Sequence, residues 1–303
     1  MKVPVLLLAF NRPSLTIQII NAIRNYKPNK FYFSVDGPRI GNQNDKINNE
    51  SVKDLVKFID WECEVITNFS ANNLGCRIGP SSGINWFFER EEMGIILEDD
   101  CLPDESFFFF CEELLEKFKD NNSISMISGT NFSFGKERFH TSYSFSIYPH
   151  IWGWASWRRA WFGYDLNMKD YPVWRNKDFL NPIFPEKRER DFWYKNFDLV
   201  AFENFSAWDY QWFFHNLKHS RLSIVPSMNL IRNIGSGDDA THTQDLGIIS
   251  KLKLERMDFP LNHPVEICRN KSIEKYSRKI FGLEWKFYYP LLIFLRKILK
   301  KII

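Results

Sequence analysis

Three consecutive carboxylates, Glu98, Asp99 and Asp100, stand directly behind the apolar-leaning run Gly94-Ile95-Ile96-Leu97. A buried strand gains nothing from three like charges at its end, so the triplet calls for a positive partner. Hard carboxylate oxygens suit Mg2+ or Mn2+, cations that take one or two side-chain carboxylates and complete their shell with waters and substrate phosphates. Adjacent side chains leave a strand end in different directions, so the three cannot close as one claw. One or two would reach a ligand while the other braces the loop. The competing reading is an acidic turn capping a helix that begins near Asp104, where carboxylates favour the helix N-terminus.

The elements that must place this triplet alternate along the first half of the chain. Residues 3–10 read as a strand, and Pro13 suits the first turn of a helix that carries Leu15, Ile19, Ala22, Ile23 and Tyr26 at helical spacing. Residues 31–35 form a second strand, ending at the turn signal Asp36-Gly37-Pro38. Val52, Leu55, Val56 and Ile59 mark a second helix, 63–67 a third strand, and a further helix follows Gly75 before the strand at 94–97. This alternation implies an α/β fold with a mostly parallel central sheet and helices on both faces. Ligands of such sheets collect at the carboxyl ends of the strands. Arg12, Asp36 and the acidic triplet each follow a strand end, so one crevice would hold them all.

The second half, residues 131–245, is read as the acceptor side of one domain spanning 1–245, with 1–130 as the nucleotide side and 246–303 as a C-terminal extension. In residues 148–161, Trp152, Trp154 and Trp157 either stack on sugar faces or pack the sheet. Gly153, between two tryptophans, marks a place where a ligand or another backbone comes close. Residues 205–220 read as a helix turning Trp208, Trp212, Phe213 and Leu217 to the core, with Asp209 near its start. That position favours a carboxylate for the macrodipole alone. After the strand 222–225, Gly235 and Gly237 loosen the backbone beside Asp238 and Asp239, and His242 follows in a loop that could serve as a lid.

Composition narrows the partners. Aromatics make up 17% of the 303 residues, with 11 Trp and 29 Phe, well above ordinary usage and consistent with a sugar-lined groove as well as a ring-rich core. A formal charge of +3, without a basic stripe, excludes nucleic acid as the expected partner. The five cysteines form an odd set without a C-x-x-C pair, which fits reduced thiols in a reducing compartment and argues against zinc. The first apolar run, about eight residues broken by Asn11, Arg12 and Pro13, is short for a signal segment, so a cytoplasmic protein is expected.

The stretches VPVLLLAFNRPSLTIQIINAIRNYKP, FSVDGP and GIILEDDCLPDESFFFFCEELLEKF together resemble the GT-A glycosyltransferases, above all N-acetylglucosaminyltransferase I with its bacterial relatives, and family-2-like enzymes of bacterial surface polysaccharide assembly. The resemblance covers about residues 1–245 and is best in the first 120. It implies a GT-A, Rossmann-like nucleotide-diphospho-sugar transferase fold and a nucleotide-sugar donor, a UDP-sugar first. It also implies an acid-Asp-Asp version of the D-x-D motif, with Asp100 as ligand of Mn2+ or Mg2+ and Glu98 and Asp99 facing the donor sugar and ribose. Arg12 would meet the nucleotide or its phosphates, and Asp36 the imide N–H of uracil. The segment with Trp152, Gly153 and Trp154 would floor the acceptor site, Asp209 would be the general base of an inverting transfer, and His242 would complete the metal shell or touch the diphosphate. The acceptor so implied is a glycan or glycolipid.

The tail, residues 286–303, joins a short apolar run to Lys286, Arg296, Lys297, Lys300 and Lys301. Its uninterrupted apolar part falls short of the roughly 20 residues a bilayer span needs, so a basic amphipathic helix on an anionic membrane face is expected, against a helix docked on the domain. Two other classes compete with the transferase. A sugar-nucleotide pyrophosphorylase should carry a glycine-rich phosphate loop after the first strand, and residues 9–14, AFNRPS, have none. A non-catalytic carbohydrate-binding scaffold would need neither the triplet nor Asp209.

Overall fold

The computed structural model describes residues 2–137, 139–203, 205–235 and 252–283. His242 and the basic tail at 286–303 therefore lie outside the described residues.

The first half alternates as the sequence pattern requires. Strands β1 (Val5–Ala9), β2 (Lys30–Val35), β3 (Glu64–Phe69) and β4 (Met93–Glu98) are separated by helices α1 (Pro13–Tyr26), α2 (Gln43–Asp54) and α3 (Gly75–Phe88). In α1, Pro13 occupies the first turn, Ile19, Ile20, Ile23 and Tyr26 are buried, and Lys27 closes the helix in the left-handed region at φ 53°. The second helix departs from its apolar signal. It starts at an Asn42 cap, turns the polar Asp45 and Asn49 inward with Val52, and leaves Leu55 to a following 3-10 turn. Those polar groups are buried because they serve the strand ends, as the site shows below.

The chain continues through β5 (Cys101–Pro103), α4 (Glu105–Lys117), β6 (Ile124–Ser128), β7 (Tyr143–Ser146), β8 (Trp154–Trp157), α5 (Arg158–Trp161), α6 (Tyr171–Asn176), α7 (Lys187–Phe202), α8 (Asp209–Lys218), β9 (Leu222–Pro226), β10 (Ile231–Asn233) and α9 (Lys271–Ile280). The main sheet has eight strands in the order β3-β2-β1-β4-β8-β6-β9-β7, and β10 pairs with β5 in a separate ribbon. Strands β3, β2, β1 and β4 are parallel, and β6 and β9 run with them, whereas β8 and β7 run against their neighbours. The fold is thus α/β with a mostly parallel central sheet. Strand β3, at the edge, is half exposed.

One apolar core runs through the sheet and a second gathers Tyr148, Trp193, Phe197 and Phe213 between the later helices. Residues 252–283 are part of this packing rather than an appendage. Met257 and Leu261 join the first core, the Met257 N–H donates to Ser106 Oγ at 2.9 Å, and Glu274 of α9 accepts from the Ile147 N–H at 2.8 Å. Of the two readings open for Trp154 and Trp157, the structure takes packing, against the acceptor-floor role that the resemblance implied for Trp154. Both are buried in the sheet core, Trp154 ringed by Trp161, Trp208 and Trp212, so neither offers a face to an acceptor sugar.

Two buried imidazoles make the fold sensitive to acid. Burial holds both His150, which meets Ser277 Oγ at 2.8 Å, and His215 down to about 3. The unfolded chain then binds more protons below about 6.5, so this stability is complete above that pH and is lost as pH falls toward the folded values. Urea midpoints should drop between pH 6.5 and 4, and His150→Gln should lie lower at pH 7 with a shallower slope. An unchanged slope would show that His150 is not held neutral by the fold.

Candidate active site

Register brings the sequence-predicted residues to one edge. Ala9 of β1 faces Val35 of β2, and Leu8 faces Glu98 of β4, so Arg12, Asp36 and the acidic triplet all emerge at the carboxyl ends of three adjacent parallel strands. The β10–β5 ribbon closes over that edge, where the Ile234 N–H donates to the Asp100 carbonyl at 2.8 Å. A Cβ on Gly235 would land on Asp100 Oδ2 and lie 2.8 Å from Arg12 Nη1. Glycine is required there because backbone and ion pair are in contact.

Arg12 is the charge around which the edge is built. Its guanidinium pairs with Asp99 Oδ1 through Nη2 and with Asp100 Oδ2 through Nη1 at 3.1 Å, while Nε reaches Asp99 Oδ2 at 3.4 Å. Burial works against its charge, yet Asp99 and Asp100 outweigh burial and hold the group more firmly protonated than a free arginine. Asp99 is buried and also accepts from the Phe10 N–H at 3.3 Å, so it ties β4 to the end of β1. Burial raises its carboxyl above the usual range, opposed by Arg12. Glu98 accepts no hydrogen bond among the described residues. Burial, then the charges of Asp100 and Asp99, raise its carboxyl strongly, against the pull of Arg12, and Asp209 adds to the same repulsion.

Asp209 is the first residue of α8, and the Tyr164 hydroxyl donates to the carbonyl of the residue before it at 2.9 Å. Trp208, just before it, stacks on Trp154 with centroids 6.0 Å apart, so the buried tryptophan positions the helix start instead of a sugar.

Asp36 is engaged by the protein itself. Oδ1 accepts from the N–H groups of Gly37 and Leu74 at 2.8 Å each, and Oδ2 from Gly75 N–H and Asn73 Nδ2 at 3.0 Å. Burial raises this carboxyl while the three backbone N–H groups lower it. With four protein donors in place, a uracil imide would have to displace one of them. Asp36 instead fixes the turn that opens α3, and Gly79 of that helix packs over it, where a Cβ would lie 3.2 Å from Oδ2. Asn49 completes the brace, donating through Nδ2 to the Phe10 carbonyl at 2.8 Å and the Asp36 carbonyl at 2.6 Å.

Gly153 has φ 58°, and the space a Cβ would take is filled by the Ile231 side chain of β10. The close approach foreseen at this glycine is therefore a packing contact and not a ligand. Trp152 is half-buried against Phe132, with ring centroids 5.6 Å apart, and keeps part of its surface exposed. Asn49, Arg77 and Tyr164 were not singled out by the sequence. Gly83, on the same helix as Arg77, lets α3 lie close against Leu8 and Ser34 of the sheet.

The donor set fits a hard divalent cation. Glu98, Asp99 and Asp100 stand together with Arg12 as counter-charge, leaving surplus negative charge. Among the described residues no three His, Cys, Asp or Glu side chains form a cage. A cation here would rest on one or two carboxylates and take its other ligands from water and phosphate.

No protein-family profile matches the chain, and no curated protein matches it. Solved structures with similar folds include a mannosyltransferase from Pyrobaculum calidifontis in complex with GDP-Man and Mn2+, 11% identical over 55% of this chain, with a TM-score of 0.39. The aligned part spans about half, 48%, of that mannosyltransferase. Mouse xyloside xylosyltransferase 1, in its apo form, is 14% identical over 73% of this chain and 84% of its own, TM-score 0.33. HddC from Yersinia pseudotuberculosis is 7% identical over 52% of this chain and 77% of its own, TM-score 0.31. These likenesses are loose.

Removing Arg12 leaves buried Asp99 facing Asp100 without a counter-charge. Arg12→Met should lower unfolding stability by roughly 3 kcal/mol, the usual result of breaking a buried pair from one side. Asp99→Asn in the same protein should recover part of it. An unchanged urea midpoint in Arg12→Met would show that the pair does not hold the edge together.

Proposed function

We propose that this protein is a metal-dependent, inverting glycosyltransferase of the GT-A type. The observation that carries the reading is the pairing of Arg12, beyond the end of β1, with Asp99 and Asp100, beyond the end of the adjacent β4, beside Glu98. The donor is a nucleotide sugar, a UDP-sugar first, and the acceptor a glycan or lipid-linked glycan of bacterial surface polysaccharide synthesis, as the resemblance of the acidic motif implies.

Arg12 holds Asp99 and Asp100 in place and offers positive charge to a diphosphate. Asp100 would hold Mn2+ or Mg2+, with His242 as a further ligand, and such a cation neutralises charge developing on a leaving diphosphate. Glu98 faces the donor sugar. Asp209 takes the proton of the acceptor hydroxyl as its oxygen attacks from the face opposite the diphosphate, which inverts the anomeric centre. Trp152 retains the exposure that an acceptor contact needs, a role that Trp154 does not share. No helix among the described residues is long and apolar enough to cross a membrane, and attachment to the cytoplasmic membrane face is assigned to residues 286–303.

Calorimetry of UDP into the full chain should show binding with Mn2+ that is lost with EDTA, and Asp100→Ala should abolish the metal-dependent part. Asp209→Asn should bind UDP normally while turnover falls by roughly 100- to 10,000-fold, the range of general base catalysis. UDP binding indifferent to metal would remove Asp100 as ligand. Retention of the donor's anomeric configuration in the product would end the inverting reading, and full function in Asp100→Ala would favour a carbohydrate-binding scaffold.

A further inference from the structure

The loop between α5 and α6 clasps the first turn of α8 at two points. Tyr164 donates its hydroxyl to the Trp208 carbonyl at 2.9 Å, and the Leu166 carbonyl accepts from Gln211 Nε2 at 3.3 Å. Gln211 is buried and also donates to the Ala207 carbonyl at 2.7 Å. Asp209 lies between Trp208 and Gln211, so the clasp brackets it on both sides. The same Leu166 carbonyl accepts from Arg77 Nη2 at 3.2 Å, and Arg77 Nη2 also reaches Asn167 Oδ1 at 3.1 Å. Arg77 stands in the first turn of α3, the turn that Asp36 organises on the nucleotide side. Trp161 stacks on Tyr164 with centroids 4.1 Å apart and keeps the loop from pivoting.

We propose that Arg77 is a positioning residue for Asp209. Through the Leu166 carbonyl it sets the start of α8 against the strand ends that carry Arg12 and Asp100, and so fixes the base relative to the donor. The inference rests on the reading of Asp209 as general base. It assigns Arg77 no contact with substrate. Two donors from different halves of the domain converge on one carbonyl, so losing either one releases the same joint.

The test uses the full chain as Arg77→Met, Gln211→Met, the double variant and Arg77→Lys. Amide exchange of residues 208–213 should quicken by roughly 10-fold in Arg77→Met, the effect of one lost hydrogen bond on local opening, while amides of β1 stay unchanged. Calorimetric binding of UDP with Mn2+ should stay within about 2-fold of the unsubstituted protein, since the hydrogen bonds of the joint run to Leu166 and not to Arg12 or Asp100. Release of UDP from UDP-glucose and UDP-N-acetylglucosamine should fall by roughly 10- to 100-fold, as expected for a misplaced catalytic group. The double variant should be no slower than the worse single one, and Arg77→Lys should recover part of the rate. Unchanged exchange at 208–213, losses that multiply in the double variant, or a loss confined to UDP binding would each overturn the proposal. Asp209→Asn, run beside them, separates the two readings. Undiminished turnover in Asp209→Asn removes the base, whereas a lost rate in Asp209→Asn with normal exchange and rate in Arg77→Met removes the joint.

Discussion

One guanidinium holds an acidic edge together. Parallel strands necessarily deliver whatever follows them to a common rim, and here the rim receives three carboxylates from one strand end. Arg12 pairs with two of them and moderates the third. The polar groups around it are placed to hold it there. Phe10 offers its N–H to Asp99, Asn49 ties the ends of β1 and β2, and Gly235 brings backbone onto the pair itself. Negative charge still exceeds positive along this rim.

Close packing rather than polar chemistry sets the other side of the crevice. Ile231 of β10 lies against both Gly129 and Gly153, where any larger residue would collide with it. This seating brings β10, and with it Gly235, over Asp100. The tryptophans act in the same way. Trp154, Trp161, Trp208 and Trp212 form a contiguous aromatic group within the core, and the one nearest Asp209 in sequence, Trp208, is stacked on the one most buried in β8. A ring-rich sequence here signals rigidity of the platform that carries Asp209.

Much of the first half was legible because its signals are local. Alternating strand and helix patterns, Pro13 at a helix start and Asp36-Gly37-Pro38 after a strand each depend on a few neighbouring residues. The helix at 43–54 was misplaced because its inward face is polar, and only the strand-end carbonyls of Phe10 and Asp36 explain why Asn49 should be buried. Trp154 and Gly153 were ambiguous for a similar reason. A tryptophan beside a glycine reads alike whether a sugar or Ile231 fills the space, and only the partner tells them apart.

The sequence by itself determined the α/β order and the strand-end placement of Arg12, Asp36 and Glu98–Asp100, because residue type and short-range periodicity suffice for these, while its resemblance put Asp209 forward. Tertiary structure alone decided which carboxylate is spent and which is available. Asp99 is tied to Arg12 and the Phe10 N–H, Asp36 is saturated by backbone and amide donors, and the Glu98 carboxyl, pushed up by burial and the charges of Asp100 and Asp99, accepts no hydrogen bond among the described residues. It also decided that Arg77 and Gln211, far apart in sequence, meet at one carbonyl beside Asp209. The physical reason is that a carboxylate's role follows from its hydrogen-bond partners and burial, and those are supplied by segments distant in the chain.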